Sequence, residues 1–185
     1  MNAGPKYQYE YASDHIHLTA IGYRRLGHKY AEAYFQVAVR RQEWRLLQPN
    51  SASSVTRNGL TISVKMDVPF PPFRWDERRP VHQDLSSPWH VWQNGHGFEV
   101  YTRNNVTPFD ERITPVPIES VTLDKDRVLI HLGKTPGEKQ LLFLAYAFRQ
   151  DASVLVGGQD NGRHGHLHDS DVLTELTISS ILNGW

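Results

Sequence analysis

The chain has 185 residues and a mass of 21.3 kDa, room for one sizeable core or two small ones. Its 20 basic residues balance 20 acidic ones and its pI is near 7.2, so neither nucleic acid nor an anionic membrane surface is an expected partner. No run approaches the roughly 18 apolar residues of a membrane span, the opening Met1–Lys6 stretch has no apolar secretory core, and the absence of cysteine excludes disulfides and thiolate metal sites while leaving the compartment open.

From Leu18 to about Arg41, Tyr23, Leu26, Tyr30, Ala33, Tyr34 and Val37 recur at spacings of three and four, which predicts one helix with an apolar stripe. Thr19 is its expected N-cap, with Leu18 and Tyr23 as a hydrophobic staple around it. Gly22 and Gly27 each weaken such a helix by about 1 kcal/mol relative to alanine, so they point to close packing of its backbone on another element.

After Gln48-Pro49-Asn50 the helical period stops, and short β-branched or alternating runs appear between Pro, Gly, Asn and Asp. Strands are predicted at Ser53–Arg57, Leu60–Asp67, His90–Gln93, Gly97–Thr102, Ile118–Leu123, Arg127–Leu132 and Leu141–Phe148. Asn58-Gly59 reads as a two-residue hairpin turn and Asp124-Lys125-Asp126 as a short hairpin link. The stretch Val68–Phe73 carries too many prolines for an interior strand and is expected at an edge or a corner between sheets. The predicted class is mainly β with one N-terminal α-helix: an antiparallel β-sandwich, jelly-roll or Ig-like, over 49–185, with 1–48 as a separate unit.

Ten histidines and five tryptophans are the notable excess. Trp75, Trp89 and Trp92 lie near Phe70, Phe73 and His90, and an aromatic group of this kind either fills a core or forms a platform for sugar rings. His164, His166 and His168 alternate beside Asp169 and Asp171, a pattern compatible with a metal site but more in keeping with a solvated loop. No metal and no cofactor are expected.

Chemistry concentrates in Ser13-Asp14-His15-Ile16-His17-Leu18-Thr19-Ala20-Ile21-Gly22-Tyr23. In a serine-hydrolase triad a carboxylate holds the imidazole through its Nδ1 proton and leaves Nε2 to take the serine proton. An Asp three residues before a His, in a turn ahead of a helix, can do this locally. A bare Asp-x-x-His also fits a polar turn in which Asp14 caps backbone donors and His17 faces water. His15 and His17 form a His-x-His pair without a third ligand nearby.

The run Asp14-x-x-His17-Leu18-Thr19-x-x-Gly22-Tyr23, leading into an amphipathic helix, resembles the last block of SGNH/GDSL serine hydrolases. The resemblance spans about the first forty residues. It implies that 1–48 is the C-terminal remnant of an α/β SGNH hydrolase domain, with His17 as general base and then acid, and Asp14 as its orienter. In that family the nucleophile lies in an N-terminal Gly-Asp-Ser block, which does not precede Asp14 here. Ser170, in His168-Asp169-Ser170-Asp171, is in the wrong order to replace it. The chain is therefore expected to be the C-terminal part of a larger enzyme, inactive alone, whose partner is the N-terminal hydrolase portion of the same protein.

Beyond the helix, Glu43–Pro49, the hairpin at Asn58-Gly59, Val68–Phe73, Gly97–Val100 and Asp169–Asp171 together resemble a domain that follows SGNH modules in bacteriophage tail proteins. That block usually reads Gly-Asn-Leu-Arg-Asp-Ser, and Gly165–Ser170 departs from it at His166 and His168. The resemblance implies a carbohydrate O-acyl esterase acting on an acylated polysaccharide, extracellular or virion-associated, with a β-sandwich accessory domain. The alternative is a non-enzymatic glycan-binding or tail-assembly module. A homo-oligomer is the further expectation, because the Tyr-rich stripe of the helix needs a cover.

Overall fold

The computed structural model describes residues 3–4, 9–14, 17–51, 54–76, 94–104, 113–137, 140–147 and 167–170. These residues form one N-terminal helix and a set of antiparallel sheets, so the molecule is mainly β.

Helix α1 runs Ala20–Tyr34, and Thr19 caps it by accepting a hydrogen bond from Gly22 N on its hydroxyl at 3.0 Å. The helix widens into a π-helical turn at Phe35–Val39 and stops at Arg41, whose φ of 53° does the work usually given to glycine at a helix C-terminus. Trp44 then folds back over α1, its ring 4.9 Å from Lys29 Nζ, and Lys29 is paired with Glu32 at 3.1 Å.

The expected apolar stripe does not face a core. Gly22 and Ala33 are the buried residues of α1, while Tyr23, Tyr30 and Tyr34 are about half exposed or more. The reason is angular: the small residues Gly22 and Ala33 share a side with Leu26, and the tyrosines lie about 60–100° round the helix from it. Leu18 is buried, and a Cβ on Gly22 would lie 3.1 Å from its Cβ, while Tyr23, the other expected staple position, is exposed.

The larger sheet comprises β1 (Gln48–Pro49), β2 (Val55–Asn58), β3 (Thr61–Asp67), β7 (Ile118–Asp124) and β8 (Arg127–Leu132), in the order β1-β3-β8-β7 with β2 also paired to β3. Alternation in β3 sends Ile62, Val64 and Met66 inward, and in β8 it sends Val128, Ile130 and Leu132 inward. Ile62 faces Ile130 and Val64 faces Val128 across the ladder, so the apolar residues form rows. A register shift between Ile118 and Ser120 lets Ile118 and Val121, three apart, both point inward.

A second sheet joins β5 (Phe98–Asn104), β6 (Ile113–Val116) and β9 (Gln140–Tyr146) in the order β6-β5-β9, and a short pair joins β4 (Arg74–Trp75) to β10 (Leu167–His168). Phe98, Val100 and Val116 enter the same buried cluster as Ile62, Val64 and Ile130, so the two sheets close on one core in the manner of a β-sandwich. Phe73 and Leu167 seal it from the side of the short pair.

The predicted strands at Ser53–Arg57, Leu60–Asp67, Gly97–Thr102, Ile118–Leu123, Arg127–Leu132 and Leu141–Phe148 correspond to β2, β3, β5, β7, β8 and β9 within a few residues. His90–Gln93 lies outside the described residues. Strand β6 carries Pro115, yet it is an edge strand, where a missing ladder donor is tolerated. The first hairpin turns one residue later than expected: Asn58 pairs with Thr61, leaving Gly59-Leu60 as the loop, with Gly59 at φ 57°. In the second, Asp124 pairs with Arg127 and Lys125 sits at φ 55°. Val68–Phe73 forms the bend between β3 and β4 and contains a cis Pro71–Pro72 bond.

Candidate active site

Before α1 the backbone makes a closed loop. Tyr11 and Leu18 form an antiparallel bridge, Ala12 N donates to His17 O at 2.8 Å, and Thr19 N donates to Glu10 O at 2.9 Å. Asp14 and His17 sit on the loop that this stem closes.

Both carboxylate oxygens of Asp14 are used on His17. Oδ1 accepts the backbone N–H of His17 at 3.0 Å, and Oδ2 lies 2.6 Å from the ring Nδ1. The first bond is the local turn that a short acidic side chain makes with backbone three residues on. The second sets the ring, because a carboxylate offers only acceptors and Nδ1 must then be the donor. Nε2 is left with its lone pair and has no hydrogen-bond partner among the described residues. The two side chains are 48% and 66% exposed, so the pair faces solvent rather than the β core. Chemically this is an oriented imidazole, ready to accept a proton on Nε2 from a group brought to that side.

The stem is tied to α1 through Glu10. Its carboxylate accepts from Arg25 Nη1 at 2.9 Å and from the Thr19 hydroxyl at 3.4 Å. Its backbone oxygen lies so close to the helix that a Cβ on Gly22 would meet it at 2.5 Å. Gly22 thus has the close-packing role expected of it. Gly27 does not: an added Cβ there meets nothing within 4 Å. Neither Glu10 nor Arg25 stands out in the sequence, since the bond joins residues fifteen apart and no local pattern marks it.

The other residues singled out in the sequence lie elsewhere. Trp75, in β4, is half-buried at the margin of the core and stacks on His96 with ring centroids 4.4 Å apart, so one face of its ring is already taken. Trp89 and Trp92 lie outside the described residues, as do His15, His164, His166 and Asp171. His168, in β10, directs Nδ1 to the carbonyl of Asp169 at 2.9 Å. Ser170 donates its hydroxyl to Pro72 O at 2.7 Å and its backbone N–H to Phe70 O at 2.8 Å, bonds that fasten it to the proline-rich bend. Among the described residues, no three of His, Asp and Glu converge as a metal would require, and no helix is long and apolar enough to cross a membrane.

In comparisons with protein-family models, curated proteins and solved structures, nothing matches this chain.

Proposed function

We propose that this chain supplies the Asp–His pair of a Ser–His–Asp triad in an SGNH-type carbohydrate O-acyl esterase, with the β-rich remainder as its accessory domain. The observation that carries the reading is the two-point grip of Asp14 on His17, on ring Nδ1 and on backbone N–H together. A capping carboxylate needs only the backbone bond. The ring bond additionally selects the tautomer in which Nε2 is the base.

In this reading the nucleophile and the oxyanion donors belong to a hydrolase portion of the same protein that precedes residue 1. A serine placed at His17 Nε2 would lose its proton to the ring as it attacks the acyl carbonyl, and the imidazolium would return that proton to the sugar oxygen as the tetrahedral adduct collapses. Water then repeats the sequence on the acyl-enzyme. Asp14 stays ionised throughout and stabilises the imidazolium. The exposure of the pair fits an arrangement in which the covering half excludes water from the reacting atoms. The substrate class, an O-acylated polysaccharide outside the cell or at a virion surface, is what the resemblance of segments after the helix to a domain of bacteriophage tail proteins implies.

The test is hydrolysis of p-nitrophenyl acetate by this chain and by the chain joined to its upstream gene segment. The reading expects activity in the joined protein alone, abolished by His17→Ala. Activity in the joined protein that is indifferent to His17→Ala would overturn it.

A further inference from the structure

The loop that carries Asp14 and His17 is anchored at its base by the buried Leu18, which bridges to Tyr11. Both side chains are largely in water, and the stem beneath them is one bridge deep, far short of what an isolated two-stranded ribbon needs to persist. The first turns of α1 offer a rigid base, and the Glu10 side chain joins the stem to it.

We infer that Glu10 is the positioning residue of the Asp14–His17 pair, acting through Arg25 and Thr19. Its carboxylate spans two helix residues: Arg25, in the second turn of α1, at 2.9 Å, and Thr19, the N-cap, at 3.4 Å. Its carbonyl accepts Thr19 N at 2.9 Å, immediately after the Leu18 bridge. Thr19 in turn caps Gly22 N, and Gly22 has no Cβ to hold the helix away from the Glu10 carbonyl. Stem, cap and helix are thus one connected unit, in which Glu10 joins the stem to both Thr19 and Arg25. The Glu10 and Arg25 side chains are about one-third exposed, so their ion pair is partly shielded from the solvent that surrounds Asp14 and His17.

Loosening this joint lets the loop sample orientations in which Asp14 no longer reaches Nδ1. The imidazole then reverts to a mixture of tautomers, and Nε2 is no longer held as the free acceptor. The inference rests on the reading of Asp14–His17 as an acid/base pair, but its test reads the pair itself and requires no nucleophile.

The test is ring-nitrogen NMR of His17 in the chain labelled with 15N-histidine, with His17→Gln used to assign the signals. In the parent the two ring nitrogens are expected to be widely separated, with Nδ1 protonated and Nε2 bare. Glu10→Ala and Arg25→Met, which remove opposite ends of the same bond, should each collapse that separation toward the mixed-tautomer average. Glu10→Gln, which keeps an acceptor for Arg25, should largely restore it. Amide spectra of β3 and β8 report whether the fold survives each change, and should Glu10→Ala unfold, Arg25→Met still decides. An unaltered tautomer in a folded Arg25→Met chain would overturn the inference. Failure of the esterase reading would instead appear as activity indifferent to His17→Ala, a separate readout.

Discussion

The backbone oxygen of Glu10 stands 2.5 Å from the place where a Cβ on Gly22 would lie, whereas a Cβ on Gly27, five residues along the same helix, would meet nothing within 4 Å. The two glycines therefore have opposite consequences. Gly27→Ala should stabilise α1 by up to about 1 kcal/mol through helix propensity. Gly22→Ala should cost roughly 1–3 kcal/mol, because the contact is with backbone that cannot rotate aside. Helix content by circular dichroism through a urea titration separates them; a stabilising Gly22→Ala would contradict the packing described.

The hairpin turns give a second paired expectation. Lys125 occupies φ 55°, a region that costs a side-chain-bearing residue roughly 1–2 kcal/mol, and Gly59 occupies φ 57° without that cost. Lys125→Gly should be neutral or stabilising by up to about 1 kcal/mol, less the entropy glycine adds to the unfolded chain. Gly59→Ala should destabilise by about 1 kcal/mol. Thermal midpoints of the two variants should move in different directions, or at least differ clearly.

In the core, Ile130 is fully buried between Ile62 and Val121, and Val55 lies exposed on β2. Ile130→Ala should cost about 2–5 kcal/mol, the usual range for a truncated core residue, while Val55→Ala should fall within about 0.5 kcal/mol of neutral. Equilibrium urea unfolding followed by tryptophan fluorescence measures both. Equal losses would contradict the burial of Ile130.

What the sequence disclosed follows how local each signal is. β3 and β8 were legible because Ile62, Val64 and Met66, and Val128, Ile130 and Leu132, alternate without interruption. β6 was not, since Pro115 argues against an interior strand and only the sheet order reveals that β6 lies on an edge. The two-residue strands β1, β4 and β10 carry no period at all. The helix is evident from its period but its buried side is not: aromatic residues dominate the stripe, while packing is decided by the small Gly22 and Ala33. At the candidate site, Asp14 and His17 are three apart, so their pairing could be read from the local spacing, whereas Glu10 and Arg25 meet only once the stem has folded back on α1.

The reading of Asp14 as an orienter, and not merely a loop cap, is tested most directly by kcat for p-nitrophenyl acetate in the joined protein carrying Asp14→Asn or His17→Ala. Asparagine can still accept the His17 backbone N–H through its carbonyl oxygen. Toward Nδ1, however, it presents a donor or a weaker, neutral acceptor, so the ring loses its fixed tautomer. By the behaviour of such triads, both substitutions should lower kcat by about 10³-fold or more. If Asp14→Asn leaves kcat unchanged in an otherwise active protein, Asp14 is a loop cap and not an orienter; if His17→Ala leaves it unchanged as well, the pair has no part in the reaction.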